Sequence, residues 1–566
     1  RIPTGDQPIC GVVLEPYVVF QEQGTQAPVT TSIPDDDDSD DAGTLGRFRL
    51  RSRWFRQTQG RNTALCSIHP NKDASIQCVL CLKARVPQNL SYHCNGDCLQ
   101  DHWHLHRAFH EGYKQQYAGI VYPAGCRNNA SNYRNHNGDE DWIEISQRRY
   151  YIPSIEDVGC GLKFECCLID MHAQLYGEDA VGKVVSTHVS RVQPPSSPPI
   201  RAMTPVRLPN ARIHQEGRFT VLTYNILADL YASQGDMYQC YCPAWALSWH
   251  YRKLNLIREL AAYRADVVCL QEVQSNHYED YFRGAMEDHG YSGVFKRKTN
   301  EVFVGKALAI DGCATFYRRD RFTLIKKYEV EFNKAAVSTA NQYPEPQRNA
   351  ALQRLSKDNV ALIVVLESVH PMLGRQKQLI CVANTHIHAN PDHSDVKLWQ
   401  VHTLLKGLEK IAASAEIPII VAGDFNSEPG SAAHTLLVMQ GIDQTHPETG
   451  NDPAQFLRNL LPVQHKLPLR SAYSSMFMSA GESADQRRRL EPTLQEPLFT
   501  NCTMDYKGTL HYIFYTPTLL QPTSLLELPS DQEAQIHVGS GLPNARYSSD
   551  HICLLAEFQL LIQFSQ

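Results

Sequence analysis

The sequence predicts a multidomain protein, with an α/β half at the carboxyl end and a β-rich half at the amino end that is interrupted by a cysteine- and histidine-rich insert. Three observations predict it. After residue 218, apolar runs end repeatedly in a carboxylate, an amide or a histidine and are separated by helix-period stretches. Before residue 193, the polar–apolar alternation of half-buried strands occurs on both sides of a cluster of short ligand pairs. Between the halves, Gln193 to Pro209 reads QPPSSPPIRAMTPVRLP, a proline density expected to give an extended linker instead of strands or helices.

The totals bound the function. A chain of 566 residues exceeds one core, and roughly two to four domains are expected. A hydrophobic content of 42% with 20% charged residues describes an ordinary soluble protein, and no apolar run is long enough to span a bilayer. The net charge of -6 excludes a bulk nucleic-acid coat protein, which would be basic, but not an enzyme that grips a few nucleotides through metal ions. The 17 cysteines gather partly between Cys66 and Cys98 among histidines and otherwise scatter through apolar strands. That distribution indicates a reducing compartment with one zinc module, not a secreted disulfide framework, and leaves the sequons at Asn89, Asn129 and Asn501 accidental. The chain opens at Arg1, so any targeting signal ahead of it would lie outside this sequence.

From the amino terminus, Pro8 to Phe20 reads as one or two short strands and the acidic run Asp35 to Asp41 as a solvated loop. Phe48 to Phe55 alternates and carries Trp54; Trp142 to Ile145, Tyr151 to Gly159 and Leu162 to Cys166 read as further strands. Together they resemble successive parts of an immunoglobulin-like β-sandwich, expected at residues 8–60 and 116–192. No chemistry is evident there, and docking is the use expected of it.

The insert, residues 61–115, is more specific. Cys66 and His69 form CxxH, Cys78 and Cys81 CxxC, Cys94 and Cys98 CxxxC, and His106 and His110 HxxxH. Each pair closes half a tetrahedral shell, so eight ligands imply two structural Zn2+ ions. With Tyr92, Gln100 and Trp103 in place, the segment resembles a MYND zinc finger. The resemblance implies cross-braced pairing, with Cys66, His69, Cys94 and Cys98 on one ion and Cys78, Cys81, His106 and His110 on the other. His69 and His110 stand where that family mostly has cysteine, while His102 and His104 are spare. MYND fingers bind proline-rich peptides, which implies a partner protein.

In residues 218–562 the expected strands are Phe219 to Leu227, Asp266 to Val273, Gly312 to Arg318, Ala361 to Glu367, Leu379 to His386, Tyr512 to Tyr515 and Cys553 to Phe558, with one more in the stretch Ile419 to Ser427, an apolar run ending in a small residue pair before Asp424-Phe425-Asn426. Helices are expected around Tyr251 to Tyr263, with Leu254, Ile257, Leu260 and Ala261 on one face, and over Asp395 to Ala413. Asn225, Glu272, His386, Asp424, Asn426, Asp550 and His551 then fall at or beside strand ends. Each alone has a plainer reading as a turn former, a surface acid or a core histidine. Together they have the composition of a Mg2+-dependent phosphodiesterase.

The segments YNILAD, LQEV, NTHIH, GDFNS and SSDH, in that order, resemble the endonuclease/exonuclease/phosphatase superfamily. This implies a DNase I-like, four-layer α/β sandwich. CPAWALSWHYRKLNL, DGCATFYRRDRF, SDVKLWQVHTLL and EPLFTNCT further resemble the poly(A)-specific exoribonucleases called carbon catabolite repressor four, and the finger resembles their plant branch. The resemblance implies Mg2+-dependent 3′-to-5′ removal of AMP from mRNA poly(A) tails, two Mg2+ ions, and residence in nucleus and cytoplasm. The implied partners are a companion deadenylase subunit and the NOT scaffold of the CCR4–NOT complex. It makes Glu272 the principal Mg2+ ligand with Asn225 beside it, puts Asp424 on the attacking water or a second ion, and gives Asn426 the scissile phosphate. His386 and His551 would stabilise charge on phosphorus, Asp550 would help with metal or orientation, and Pro391 and Tyr506 would pack on the terminal adenine.

One position departs. Where the family reads D-Y-I-F, this chain reads His511-Tyr512-Ile513-Phe514. A histidine supplies no negative charge beside His551, so weakened catalysis is expected. The competing readings are a docking subunit with an inactive nuclease domain, and the same fold acting on a nucleotide, inositol or lipid phosphate.

Overall fold

The computed structural model describes residues 8–16, 18–20, 29–30, 44–45, 48–57, 66–68, 74, 76–78, 91–101, 142–170, 183–196, 199–206, 217–233, 237–299, 302–304, 307–372, 377–414, 417–478 and 484–561. Two compact units divide the chain at Pro195 and Ser196. The acidic run Asp35 to Asp41 lies outside the described residues.

In the first unit, Phe48–Gln57 pairs antiparallel with Leu162–Asp170 on one side and with Trp142–Ser146 on the other. Val185–Val189 extends the sheet beyond Leu162–Asp170, and Thr44–Leu45 pairs with the start of Phe48–Gln57. The segments before and after the cysteine-rich insert therefore share one sheet. Trp54 is fully buried, with its ring 4.9 Å from that of Phe164 and 5.7 Å from that of Tyr151.

Two expected strands do not form as such. Among its described residues, Pro8 to Phe20 gives bridges at Ile9 and Leu14 and the two-residue strand Val19–Phe20. The turn at Cys10-Gly11, where Gly11 has φ +83°, breaks the run. Tyr151 to Gly159 becomes a bridge followed by the 3-10 turn Ile155–Asp157. There the Asp157 carboxylate accepts from the Tyr151 hydroxyl at 2.6 Å and from the Ser154 backbone N–H at 2.7 Å, which closes a loop in place of a ladder.

The second unit has four layers, α/β/β/α. One sheet runs Met203–Pro205, Leu520–Leu526, Leu554–Leu560, Arg218–Asn225, Val267–Gln274, Asp311–Arg318, Tyr291–Arg297. The other runs Phe322–Glu331, Val360–Ser368, Leu379–His386, Ile419–Asp424, His511–Tyr515, Arg470–Ser471. Their central strands are apolar on both faces, and alternate residues serve different layers. Val221, Val267, Val364, Val382 and Ile420 pack between the sheets. Leu222, Tyr224, Val268 and Leu270 face the helix Trp249–Tyr263, and Ile363, Ala383 and Val421 face the helix Ser394–Ser414.

Each sheet contains one parallel pair: Arg218–Asn225 with Val267–Gln274, and Leu379–His386 with Ile419–Asp424. Both pairs end at the same edge of the sandwich. Between them a buried amide crosses from sheet to sheet. Asn384 donates to the carbonyls of Leu270 at 3.1 Å and Ala314 at 2.9 Å, and its Oδ1 accepts from Gln271 Nε2 at 2.8 Å.

Residues 193–217 are not linker throughout. Met203–Pro205 pairs antiparallel with Leu526 to Ser524. Its proline is tolerated because the strand lies at the sheet edge. Just before it, Arg201 donates to the carbonyls of Glu527 at 3.0 Å and Cys553 at 2.7 Å and sits 3.8 Å from buried Glu259.

The buried face of Trp249–Tyr263 also differs from the expected one: Arg252, Asn255, Leu256, Glu259 and Leu260 point inward. Arg252 is buried because it donates to the carbonyls of Ile226, Leu227, Leu247 and Ser548, and Glu259 because it meets Arg201.

Candidate active site

The parallel strand ends deliver the site. Arg218–Asn225 and Val267–Gln274 are in register with Asn225 opposite Gln271, and the ladder to Asp311–Arg318 slips between Leu270 and Val273. In that bulge Glu272 takes φ +58°, which turns its carboxylate out of the sheet. In the other sheet His386 is the register partner of Asp424, and Asp424 of His511. Gly423, at φ +147°, permits this close pairing, since a Cβ there would lie 2.0 Å from the Thr385 carbonyl oxygen.

Asn225 joins the two sheets. Its Nδ2 donates to Glu272 Oε1 at 2.8 Å and to Asp424 Oδ2 at 2.9 Å. The second oxygen of Glu272 accepts from the Ala228 backbone N–H at 2.9 Å. His386 Nε2 lies 3.8 Å from Asp424 Oδ2 and 4.0 Å from Glu272 Oε1, and His551 Nε2 lies 3.5 Å from Asp424 Oδ2. Asp550 accepts from the Tyr238 hydroxyl at 2.9 Å and from Asn501 Nδ2 at 3.1 Å. Asn426, at φ +47°, donates from its backbone N–H to Asp424 Oδ1 at 2.9 Å and from Nδ2 to the Ile387 carbonyl at 2.9 Å. All seven predicted catalytic side chains thus gather at one edge of the sandwich.

His511 is fully buried, and its Nδ1 lies 3.2 Å from Nδ1 of His551. Burial, reinforced by His551, pushes its pKa down to about 3, so it is a neutral imidazole. Burial and the nearby Lys298 hold His386 at about 4.

Burial, together with the charges of Asp550 and Asp311, pushes Glu272 up to about 8 against the pull of Lys298 and Asn225. Carboxylates crowded in this way are relieved by a bound cation. The donor set is oxygen-rich and acidic, as hard divalent ions require. Glu272 and Asp424 fit that role; Asn225, expected beside the ion as a ligand, faces both carboxylates with Nδ2 while its amide oxygen accepts from the Leu227 backbone N–H at 3.1 Å, so it orients the carboxylates instead.

Several contributors escaped the sequence reading. Lys298 forms an ion pair with Asp311 at 2.9 Å beside Tyr231, whose hydroxyl donates to Asp311 at 3.1 Å. Lys397, nearly buried, donates to the Asn426 carbonyl at 2.5 Å. Arg252 ties the loop after Asn225 to Ser548, two residues before Asp550. A long cation in a loop or helix carries no periodic signal, so only the fold reveals these. Tyr238 lies in a loop that also carries Met237, Cys240, Tyr241 and Cys242, so nothing in the sequence singles it out.

Of the adenine residues, Tyr506 donates its hydroxyl to Glu428 Oε1 at 3.0 Å, and Pro391 is exposed in the loop after His386. In the insert, the thiols of Cys66, Cys94 and Cys98 lie within 4.8 Å of one another, with the Cys66 and Cys98 sulfurs 3.6 Å apart. Burial and then the Cys66 thiol push Cys98 up to about 12, and three thiols this close suit a thiophilic cation. His93 Nδ1, passed over in the sequence, lies 3.9 Å from the Cys98 sulfur. Cys78 is outside that group, while His69, Cys81, Trp103, His106 and His110 lie outside the described residues.

Acids, amides and histidines at the shared edge of two stacked sheets define a phosphoesterase fold, and residues 222–551 match the Endonuclease/Exonuclease/phosphatase family, to which the chain belongs. Within it, the chain is a member of the carbon catabolite repressor protein 4 group. Carbon catabolite repressor protein 4 homolog 1 of Arabidopsis thaliana is 45% identical over 98% of this chain and 96% of its own length. The CCR4-Not complex 3′-5′-exoribonuclease subunit Ccr4 of Mycosarcoma maydis is 35% identical over 60% of this chain and 50% of that protein. Among solved structures, ANGEL2, a 2′,3′-cyclic phosphatase, aligns with 27% identity and a TM-score of 0.49 over 64% of this chain and 98% of that one.

Proposed function

We propose that this chain is a Mg2+-dependent 3′-to-5′ exoribonuclease that shortens poly(A) tails and releases AMP. The observation that carries it is the Asn225 amide bridging Glu272 and Asp424 across the two sheets, beside two histidines and an asparagine. The fungal relatives named as exoribonuclease subunits support the reaction class.

Mg2+ held by Glu272 and Asp424 would activate water and screen phosphate charge. The residues do the positioning. Asn225 and Ala228 fix the Glu272 carboxylate. Lys397 and the left-handed backbone hold Asn426 where its amide reaches a phosphate oxygen. His386 and His551 flank Asp424 and donate to the phosphoryl oxygens on which negative charge develops. Tyr506 and Pro391 form the platform for the terminal adenine.

The thiol trio of Cys66, Cys94 and Cys98 supports a Zn2+-bearing, MYND-like finger. We take its role, with the shared sheet read as an immunoglobulin-like sandwich at residues 8–60 and 116–192, to be recruitment to a companion deadenylase subunit of the CCR4–NOT complex, in nucleus and cytoplasm.

The test is degradation of a 5′-labelled 20-mer of A with excess Mg2+. The chain is expected to give a one-nucleotide ladder, absent in Glu272→Ala; oligo(U) is expected to persist. No ladder from a folded chain overturns the assignment, and equal loss of oligo(U) overturns the poly(A) preference.

A further inference from the structure

Glu428 stands at the rim of the site, exposed and outside the catalytic cluster. It lies on the loop that carries Asn426, two residues further along. One oxygen of Glu428, Oε1, accepts from the Tyr506 hydroxyl at 3.0 Å. Among the described residues, Oε2 takes no protein donor.

Tyr506 is itself held from below. It sits in the turn between the paired strands Asn501–Cys502 and Lys507–Gly508, and a Cβ at Gly508 would lie 2.4 Å from its hydroxyl oxygen. The ring and the carboxylate therefore form one unit: a flat surface with a fixed acceptor at its edge.

We propose that Glu428 reads the exocyclic amine of the base stacked on Tyr506, favouring adenine and cytosine over bases with a carbonyl at that position. The assignment rests on the exonuclease reading above, with Tyr506 as the base platform. A carboxylate only accepts hydrogen bonds. Adenine N6 and cytosine N4 donate there, whereas guanine O6 and uracil O4 accept. A carbonyl would meet the carboxylate with no proton between them, and both would lose water without compensation. The Tyr506 hydroxyl fixes the carboxylate plane, so the selection depends on both groups.

The experiment uses the full chain with Mg2+ and 5′-labelled oligo(A) ending in either adenosine or inosine, which exchanges the C6 amine for a carbonyl. Single-turnover removal of the last nucleotide is expected to be at least about tenfold faster for adenosine. Glu428→Gln, whose amide donates to O6, is expected to bring the two rates together, chiefly by raising the inosine rate. Tyr506→Phe, which keeps the ring but frees Glu428, is expected to narrow the ratio as well. Equal rates in the unaltered chain, or a ratio unchanged in Glu428→Gln, overturn the assignment while leaving the exonuclease standing. Failure to shorten either substrate overturns the exonuclease reading, and this one with it.

Discussion

A carboxylate beside His551 would accept its Nδ1 proton; His511 is a neutral imidazole whose Nδ1 faces Nδ1 of His551 at 3.2 Å. One of the two must donate. If His511 donates, His551 carries its own proton on Nε2, toward Asp424. The ring stays oriented, but an imidazolium there gains no stabilisation from a neutral neighbour. His511→Asp is therefore expected to raise the single-turnover rate on oligo(A) by at least about tenfold; an unchanged or lower rate would mean that this chain is built around the histidine. Glu272 gives a second test at this scale. Its carboxyl is pushed up to about 8 by burial and by Asp550 and Asp311, so a cation must displace a proton to bind. Apparent Mg2+ affinity, measured by titration calorimetry, is expected to tighten as pH rises from about 6 to 8. A flat profile would remove Glu272 from the ligand set.

Strands were the most legible elements, because a strand buried on both faces is an unbroken apolar run. The runs before Asn225, Glu272, His386 and Asp424 could be read directly, and with them most of the site. What escaped were elements made by long-range partners. Tyr291–Arg297, Phe322–Glu331 and Leu520–Leu526 are strands with polar or half-exposed faces. The helix Trp249–Tyr263 buries Arg252 and Glu259, which look solvent-facing until Arg201 and four carbonyls supply their partners. Removing Arg201 takes away the one cation beside Glu259 among the described residues and leaves it the weak Cys553 thiol donor at 3.2 Å, so Arg201→Ala is expected to destabilise the second unit by about 3 kcal/mol in urea titration; less than about 1 kcal/mol would show that water replaces the guanidinium. By the same logic, a fragment beginning at residue 196 is expected to outlast one beginning at residue 218, which lacks both Arg201 and the edge strand Met203–Pro205.

Acid should act on the molecule as a whole. Burial holds His277 and His388 at about 3 and His402 at about 4. Unfolding returns them to the ordinary value near 6.5, where the open chain takes up protons that the folded chain refuses. Stability is thus fully present above about pH 6.5 and drains away as pH falls toward about 3. The urea midpoint is expected to drop between pH 7.5 and 5, and less so in His277→Phe, which keeps a ring stacked on Trp249 at 3.8 Å. Site and stability come apart at the Asn384 crossing. An amide joining two apolar sheets adds little net stability over apolar groups that replace it together with its partners, yet it sets how far one sheet can slide over the other. Glu272 belongs to one sheet and Asp424 to the other, so a slip of an ångström there is a slip between catalytic partners. Asn384 is the dowel pin of a two-plate instrument: filed away, the plates still clamp, but the aperture between them no longer lines up.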